Sequence, residues 1–211
     1  LDPATARLAP AGELFILGGY LKPHAAVKHV SYGATAALAL RDRLYARLDR
    51  VRAIEIATYP EAIQYTGNRA PAAPIAAQFS IAFGTAAALR FGDLSPAVYR
   101  HPQFTEAGVR RLESLVTLVV DPALAAQSAD GRRGATVTVD LGDEKLAATC
   151  TSVKGDPDRP FTAADVRAKF VDYARATVAE PDARAVADAL LDGPLERPLT
   201  AIWQSLWPVA R

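Results

Sequence analysis

Residues 74–92 read PIAAQFSIAFGTAAALRFG. The run is too long and too rich in alanine for a strand, and helix punctuation bounds it at both ends. Pro74 suits a first helical turn, where its missing N–H is not needed, and Gly92 suits the left-handed residue that follows a last turn. Ile75, Phe79, Phe83 and Ala86 recur at helical spacing and predict a bulky face. Ala76, Ser80, Gly84 and Ala88 make a second stripe, small at every fourth residue, along which a neighbour can approach closely or a ligand can lodge. A helix apolar nearly all round belongs in a core. Gln78, Ser80 and Thr85 interrupt it too often for a membrane span. The expectation is one buried helix over 74–92, with the rest of the chain packed around it.

Upstream of that helix, Val51 to Tyr59 alternates Ile54, Ile56 and Thr58 with Ala53, Glu55 and Ala57, as a strand does. From about Val30 to Leu48 the residues Ala37, Leu40, Leu44 and Leu48 share one helical face while Arg41, Arg43 and Arg47 lie elsewhere, which predicts an amphipathic helix. Leu14 to Leu17 reads as a short strand ended by Gly18 and Gly19. Downstream, Thr105 to Ser114 reads as a short charged helix, and Leu115 to Val120 as an apolar strand stopped by Asp121-Pro122. Ala135 to Leu141 and Leu146 to Cys150 alternate across the turn at Gly142-Asp143, a hairpin in which Cys150 is a small core residue. Thr162 and Asp165 form a capping box for a helix to about Thr177, and Asp182 caps a second that ends at Gly193.

Strands and helices alternate without a glycine-rich nucleotide fingerprint, and two strands form a hairpin. The fold expected is α+β, a two-layer α/β sandwich with C-terminal helices. Residues 1–13 read as a linker or the tail of a preceding element, 14–160 as the sandwich, and 161–211 as the closing helices. After Pro198, the residues Leu199, Ile202, Trp203, Leu206 and Trp207 gather both tryptophans on one helical face, and these two are expected to anchor an interface with a second chain.

The chain has 211 residues, half of them hydrophobic, enough for a real core. With 24 Lys and Arg against 23 Asp and Glu, no overall field attracts a polyanion, so nucleic acid is not an expected partner. One cysteine makes no internal disulfide, and no apolar leader opens the sequence; the expected location is cytoplasmic. A chain that starts at Leu1 and contains no Met reads as processed, trimmed, or numbered from within something longer. The densest cationic cluster is Lys22, His24, Lys28 and His29, ahead of the amphipathic helix. Its plain reading is solvated charge around a helix start, and His24 and His29, five apart with no third ligand, make a poor metal pair. Gln78 and Ser80 are read first as core polar groups satisfied by neighbours.

Three segments together resemble the MmgE/PrpD family, which contains 2-methylcitrate dehydratase, cis-aconitate decarboxylase and iminodisuccinate epimerase. YLKPHAAVKHVSYGATAAL is similar to the family's segment beginning Lys-Pro-Tyr, AAPIAAQFSIAFGTAAAL to its helix with A-(K/Q)-F-S, and VKGDPDRPFTAADVRAKF to its KG-x-P turn and following helix. The resemblance spans about Leu14 to Leu191 and covers only the second half of the family's pattern. It implies an α/β half whose catalytic cleft is shared with a helical domain not in this chain. The partner would be that helical chain or a second copy, in a dimer.

The implied activity is a lyase, a dehydratase or decarboxylase acting on a di- or tricarboxylic acid without cofactor or metal. An epimerase, or a non-catalytic module with a structural or regulatory role, is the alternative. Lys22 matches the motif lysine and would bind carboxylate or pass a proton; His24 replaces an aromatic and can titrate near neutrality. Lys28 would hold a carboxylate, with Ser31, Gln78 and Ser80 as further substrate contacts, and His29 is a third catalytic candidate. Val27 and Ser31 stand where the family often has Cys or His, and neither is a base.

Overall fold

The structure, a computed structural model, describes residues 15–128, 131–194, 196, 198 and 200. Trp203, Trp207 and the rest of the tryptophan segment lie outside the described residues, as do residues 1–14. Four strands form one open sheet: β1 (Ala53–Thr58), β2 (Val116–Val120), β3 (Ala135–Asp140) and β4 (Lys145–Cys150), in the order β2-β1-β3-β4. β1 and β2 run parallel with Ile56 opposite Leu118, while β1–β3 and β3–β4 are antiparallel with Ile56 opposite Val137 and Val137 opposite Ala148. The parallel pair needs a long crossover, which the helical stretch between β1 and β2 supplies. The two antiparallel strands are the expected hairpin.

Period-two alternation gives the sheet one buried face. Ile54, Ile56, Thr58, Ala135, Val137, Val139, Leu146 and Cys150 are buried, whereas Ala53, Glu55, Thr117 and Ala147 on the opposite face are exposed. Helix α1 (Lys28–Leu44) packs on β3 and β4, and its Val30, Ala34, Ala37, Leu40 and Leu44 join the sheet residues in one core. The arrangement is α+β, with helices on one face of an open sheet.

The central helix departs from the expected single rod. It is split into α3 (Pro74–Ala77) and α4 (Ile81–Phe91), with Gln78, Phe79 and Ser80 between them. Ser80 takes extended backbone angles and its Oγ accepts the Phe83 N–H at 3.0 Å, so the residue read as an interior member of a small stripe is the N-cap of a new helix. The break tips the predicted bulky face apart: Phe83 is fully buried, but Phe79 is 48% and Ile75 66% exposed. Gly92 closes α4 in the left-handed conformation at φ 71°, as expected.

From Ile81 to Leu89 every residue of α4 is buried, and the close approach to α1 runs through glycine in both directions. A Cβ on Gly84 would lie 2.3 Å from Val30 Cγ1, and one on Gly33 would lie 3.0 Å from Ile81 Cγ1 and Thr85 Oγ1. The small stripe is thus a helix–helix seam.

Other boundaries differ for local reasons. Phe15–Gly18 is a 3-10 turn rather than a strand. Two short helices, α2 (Pro60–Thr66) and α6 (Pro122–Ser128), occupy stretches that carry no long apolar period; each opens on a proline, and Asp121 Oδ1 accepts the Ala123 and Leu124 N–H groups at 2.8 and 3.1 Å. The expected helix at 30–48 ends at Leu44 and continues as a 3-10 turn to Arg50. The charged helix α5 (Ala107–Ser114) is capped by Glu106. Helix α7 (Ala163–Ala174) has the full Thr162–Asp165 capping box, whereas α8 (Glu180–Leu191) starts at Ala179 with Pro181 in its first turn, ahead of Asp182. α7 and α8 pack on each other through Val171, Ala183 and Ala187, a small core of their own. No helix among the described residues is long and apolar enough to cross a membrane.

Candidate functional site

The segment from Tyr20 to Val27 has no helix or strand of its own, and three backbone hydrogen bonds fix its course. Leu21 N–H donates to Gly155 O at 3.0 Å, Ala25 N–H to Leu94 O at 2.9 Å, and Val27 N–H to Gln78 O at 3.0 Å. Gly155 sits at φ 96°, and a Cβ there would meet Leu21 O at 2.0 Å, so only glycine lets the turn come this close. The break in the central helix has a related purpose: the Gln78 carbonyl that holds Val27 is free because the chain leaves helical geometry there. Lys169 of α7 adds a fourth tie, its Nζ donating to Lys22 O. The three sequence segments that looked separate are thus stitched together in space.

The stitching produces an open depression of about 310 Å³ lined by Lys22, His24, Val27, Gln78, Lys169 and Tyr173, with Phe79 at its rim. Lys22 is exposed and Gln78 half-buried. His24 is largely enclosed, its Nε2 3.3 Å from Thr35 Oγ1. Burial pushes its pKa down to about 4, with nearby Lys169 and Lys28 acting in the same direction and Asp93 opposing them. The ring is therefore neutral at pH 7. Lys169 is held below the usual lysine range, first by burial and then by Lys22. A neutral imidazole beside two ammonium groups can accept a proton while the cations hold carboxylates.

Lys28 and His29 belong to a different place. Lys28 is buried and ion-paired with Asp156, whose second oxygen accepts the Val153 N–H at 2.9 Å. Its Nζ also lies 4.5 Å from the Tyr20 ring centroid and 5.4 Å from that of Tyr32. Its charge is matched by the protein itself. His29 Nδ1 is hydrogen-bonded to Tyr59 Oη, and the ring stacks on Tyr65 at 5.8 Å and 21°. Burial, with Arg133 close by, holds His29 below its ordinary pKa, and burial pushes the Tyr59 hydroxyl up to about 12. Lys28 and His29 both line a cavity of about 680 Å³ that shares no lining residue with the Lys22 depression.

Of the remaining candidates, Ser31 is fully buried and its Oγ has no partner among the described residues. Ser80 is spent on its cap. The expected cluster therefore divides: Lys22, His24 and Gln78 come together, Lys28 and His29 lie on the other side of the start of α1, and Ser31 and Ser80 point into packed structure. Sequence reasoning missed Lys169 and Tyr173. The KF dipeptide at 169–170 was part of a recognised segment, and helical spacing from Lys169 to Tyr173 was the available signal.

The family model for the MmgE/PrpD C-terminal domain matches residues 24–192. No curated protein matches the chain. The matched span runs from His24 through α8 and takes in the whole sheet, the seam between α1 and α4, and the turn at Gly155. The chain belongs to the MmgE/PrpD family, and residues 24–192 are its C-terminal domain.

Proposed function

We propose that this chain is the α/β half of an MmgE/PrpD-type lyase, a dehydratase or decarboxylase acting on a di- or tricarboxylic acid in a cleft completed by a helical domain not in this sequence. The observation that carries the reading is the convergence of Lys22, His24, Gln78 and Lys169 on one open depression with the exposed ring of Phe79 at its rim. Phe79 is 48% exposed there. Apolar surface of this kind around a charged depression suits a covering domain.

In this reading Lys22 and Lys169 hold two substrate carboxylates, each charge-assisted contact contributing about 1.5–3 kcal/mol once water is excluded. His24, neutral at working pH, takes the proton from the carbon next to a carboxylate; the C–H electron pair forms the C=C bond as the C–O bond breaks, and an acid protonates the departing hydroxide to water. In a decarboxylase the C–CO₂ bond breaks instead, CO₂ leaves, and the electron pair left on carbon is protonated. Val27 lines the depression where the family often has a titratable side chain and adds only apolar surface. The remaining acid–base group is assigned to the helical domain. Val27 also supports a second reading, a non-catalytic module that kept the fold and lost the chemistry.

The test has two stages. Calorimetry with citrate should show binding that Lys22→Ala and Lys169→Ala each weaken about tenfold or more; unchanged binding in both refutes the site. Mixing with a helical-domain chain of the family should then yield turnover of a citrate-like acid that His24→Gln removes. Citrate binding without turnover in any such mixture would select the non-catalytic reading.

A further inference from the structure

The cavity of about 680 Å³ on the far side of the start of α1 is unused by the proposed lyase chemistry, and its lining is unusual for a surface hollow. Its floor is the buried pair Lys28–Asp156, which cancels its own charge. Above it stand Arg132 and Arg133, and the ion pairs among the described residues use neither. Among the described residues Asp158, which is exposed, is the only other acid in the lining, so three cations there face two carboxylates. Arg133 is half-buried and braced over the Tyr59 ring at 5.2 Å, and Tyr59 in turn is bonded to His29. A guanidinium held this way has lost much of its freedom before any ligand arrives, which lowers the entropic cost of a bidentate contact.

Two further groups bear on what the cavity could hold. Ser152 lines the cavity, and its Oγ is buried with no hydrogen-bond partner among the described residues. An orphaned buried hydroxyl costs roughly 1–3 kcal/mol unless something answers it. Tyr20, 53% exposed, presents a ring face at the rim, over the Lys28 ammonium. A braced guanidinium in no ion pair among the described residues, an unanswered hydroxyl and an exposed aromatic ring together describe a receptor for a charged head on an apolar body.

We propose that this cavity binds an organic anion, a phosphate monoester or carboxylate whose charged group is held by Arg133 and the Ser152 hydroxyl and whose ring or chain lies on Tyr20. The site does not depend on the lyase reading, since the two hollows share no residue. The test is calorimetric titration of the chain with phenyl phosphate and, separately, phenylacetate. At least one is expected to saturate at millimolar concentration or below, and which one does identifies the charged group. Arg133→Gln should weaken that binding about tenfold or more, whereas Lys22→Ala should leave it unchanged. Ser152→Ala gives a measurement free of folding damage, because the hydroxyl it deletes has no hydrogen-bond partner among the described residues; binding should fall several-fold with a melting temperature that holds or rises. Failure of both probes to saturate below about 10 mM, unchanged binding in Arg133→Gln and Ser152→Ala, or loss of binding in Lys22→Ala would each overturn the assignment.

Discussion

Replacing Gly84 by alanine tests the seam on which the fold turns, because two effects of opposite sign compete there. In an exposed helix the change is favourable by about 1 kcal/mol, since alanine is the better helix former. At the seam the added Cβ would sit 2.3 Å from Val30 Cγ1, against the roughly 3.5–4.0 Å at which carbon atoms rest. More than 1 Å must be found. Val30 is fully buried and β-branched, so its side chain has little rotamer freedom to yield, and α4 has little room to roll aside because Ile81 and Thr85 leave no space for even a Cβ at Gly33. Overpacking of this severity lies at the upper end of about 1–3 kcal/mol, leaving a net loss of about 2 kcal/mol after the propensity gain. For a chain of this size that is about 4–8 °C in melting temperature. Urea denaturation of Gly84→Ala, Val30→Ala and the double variant reads the coupling directly. The new methyl should occupy space vacated by Val30, so the second substitution should cost nothing further in the Val30→Ala background. A stabilised Gly84→Ala, or costs that simply add, would refute the close-packed seam.

His24 ties stability to pH. Its folded pKa of about 4 lies below the unfolded value of 6.5, so the unfolded state binds the proton first and the contribution, present above pH 6.5, is lost as pH falls toward 4. The difference corresponds to about 3 kcal/mol, and His24→Gln should flatten the stability profile in that window; an identical profile would show that the ring is not buried as a neutral base. Asp156→Ala leaves the Lys28 ammonium buried alone and should cost about 3–5 kcal/mol, most of it recovered in a Lys28→Met, Asp156→Leu pair; a single-variant loss under about 1 kcal/mol by chemical denaturation would place the pair in solvent. Trp207→Ala should lower the mass of any complex seen by light scattering, whether with a second copy or with a helical chain, and an unchanged mass removes the tryptophan segment as an anchor.

Local patterns in the chain were sufficient for most elements. The alternation in Val51–Tyr59 and in the hairpin, the capping box at Thr162, and the glycine at the end of α4 each act over a few residues, and each gave the observed local structure because nothing distant competes with it. The family, too, was legible, because three short segments in order carry it. Pro74–Gly92 was misread where a local competition is decided by distant partners. An apolar run with one serine has the period of a continuous helix. Ser80 caps rather than continues because the break frees the Gln78 carbonyl for Val27, about fifty residues earlier, and because Gly67 bridges to Ser80. The site divided for the same reason. Lys22, His24, Lys28 and His29 are neighbours along the chain, but the backbone turns into α1 between them, sending one pair toward Lys169 of α7 and the other toward Asp156 and Tyr59. Composition and spacing determine which residues can carry charge or cap a helix; which cavity each side chain reaches depends on contacts across the fold, and those form only when the sheet, the seam and the Gly155 turn are assembled together.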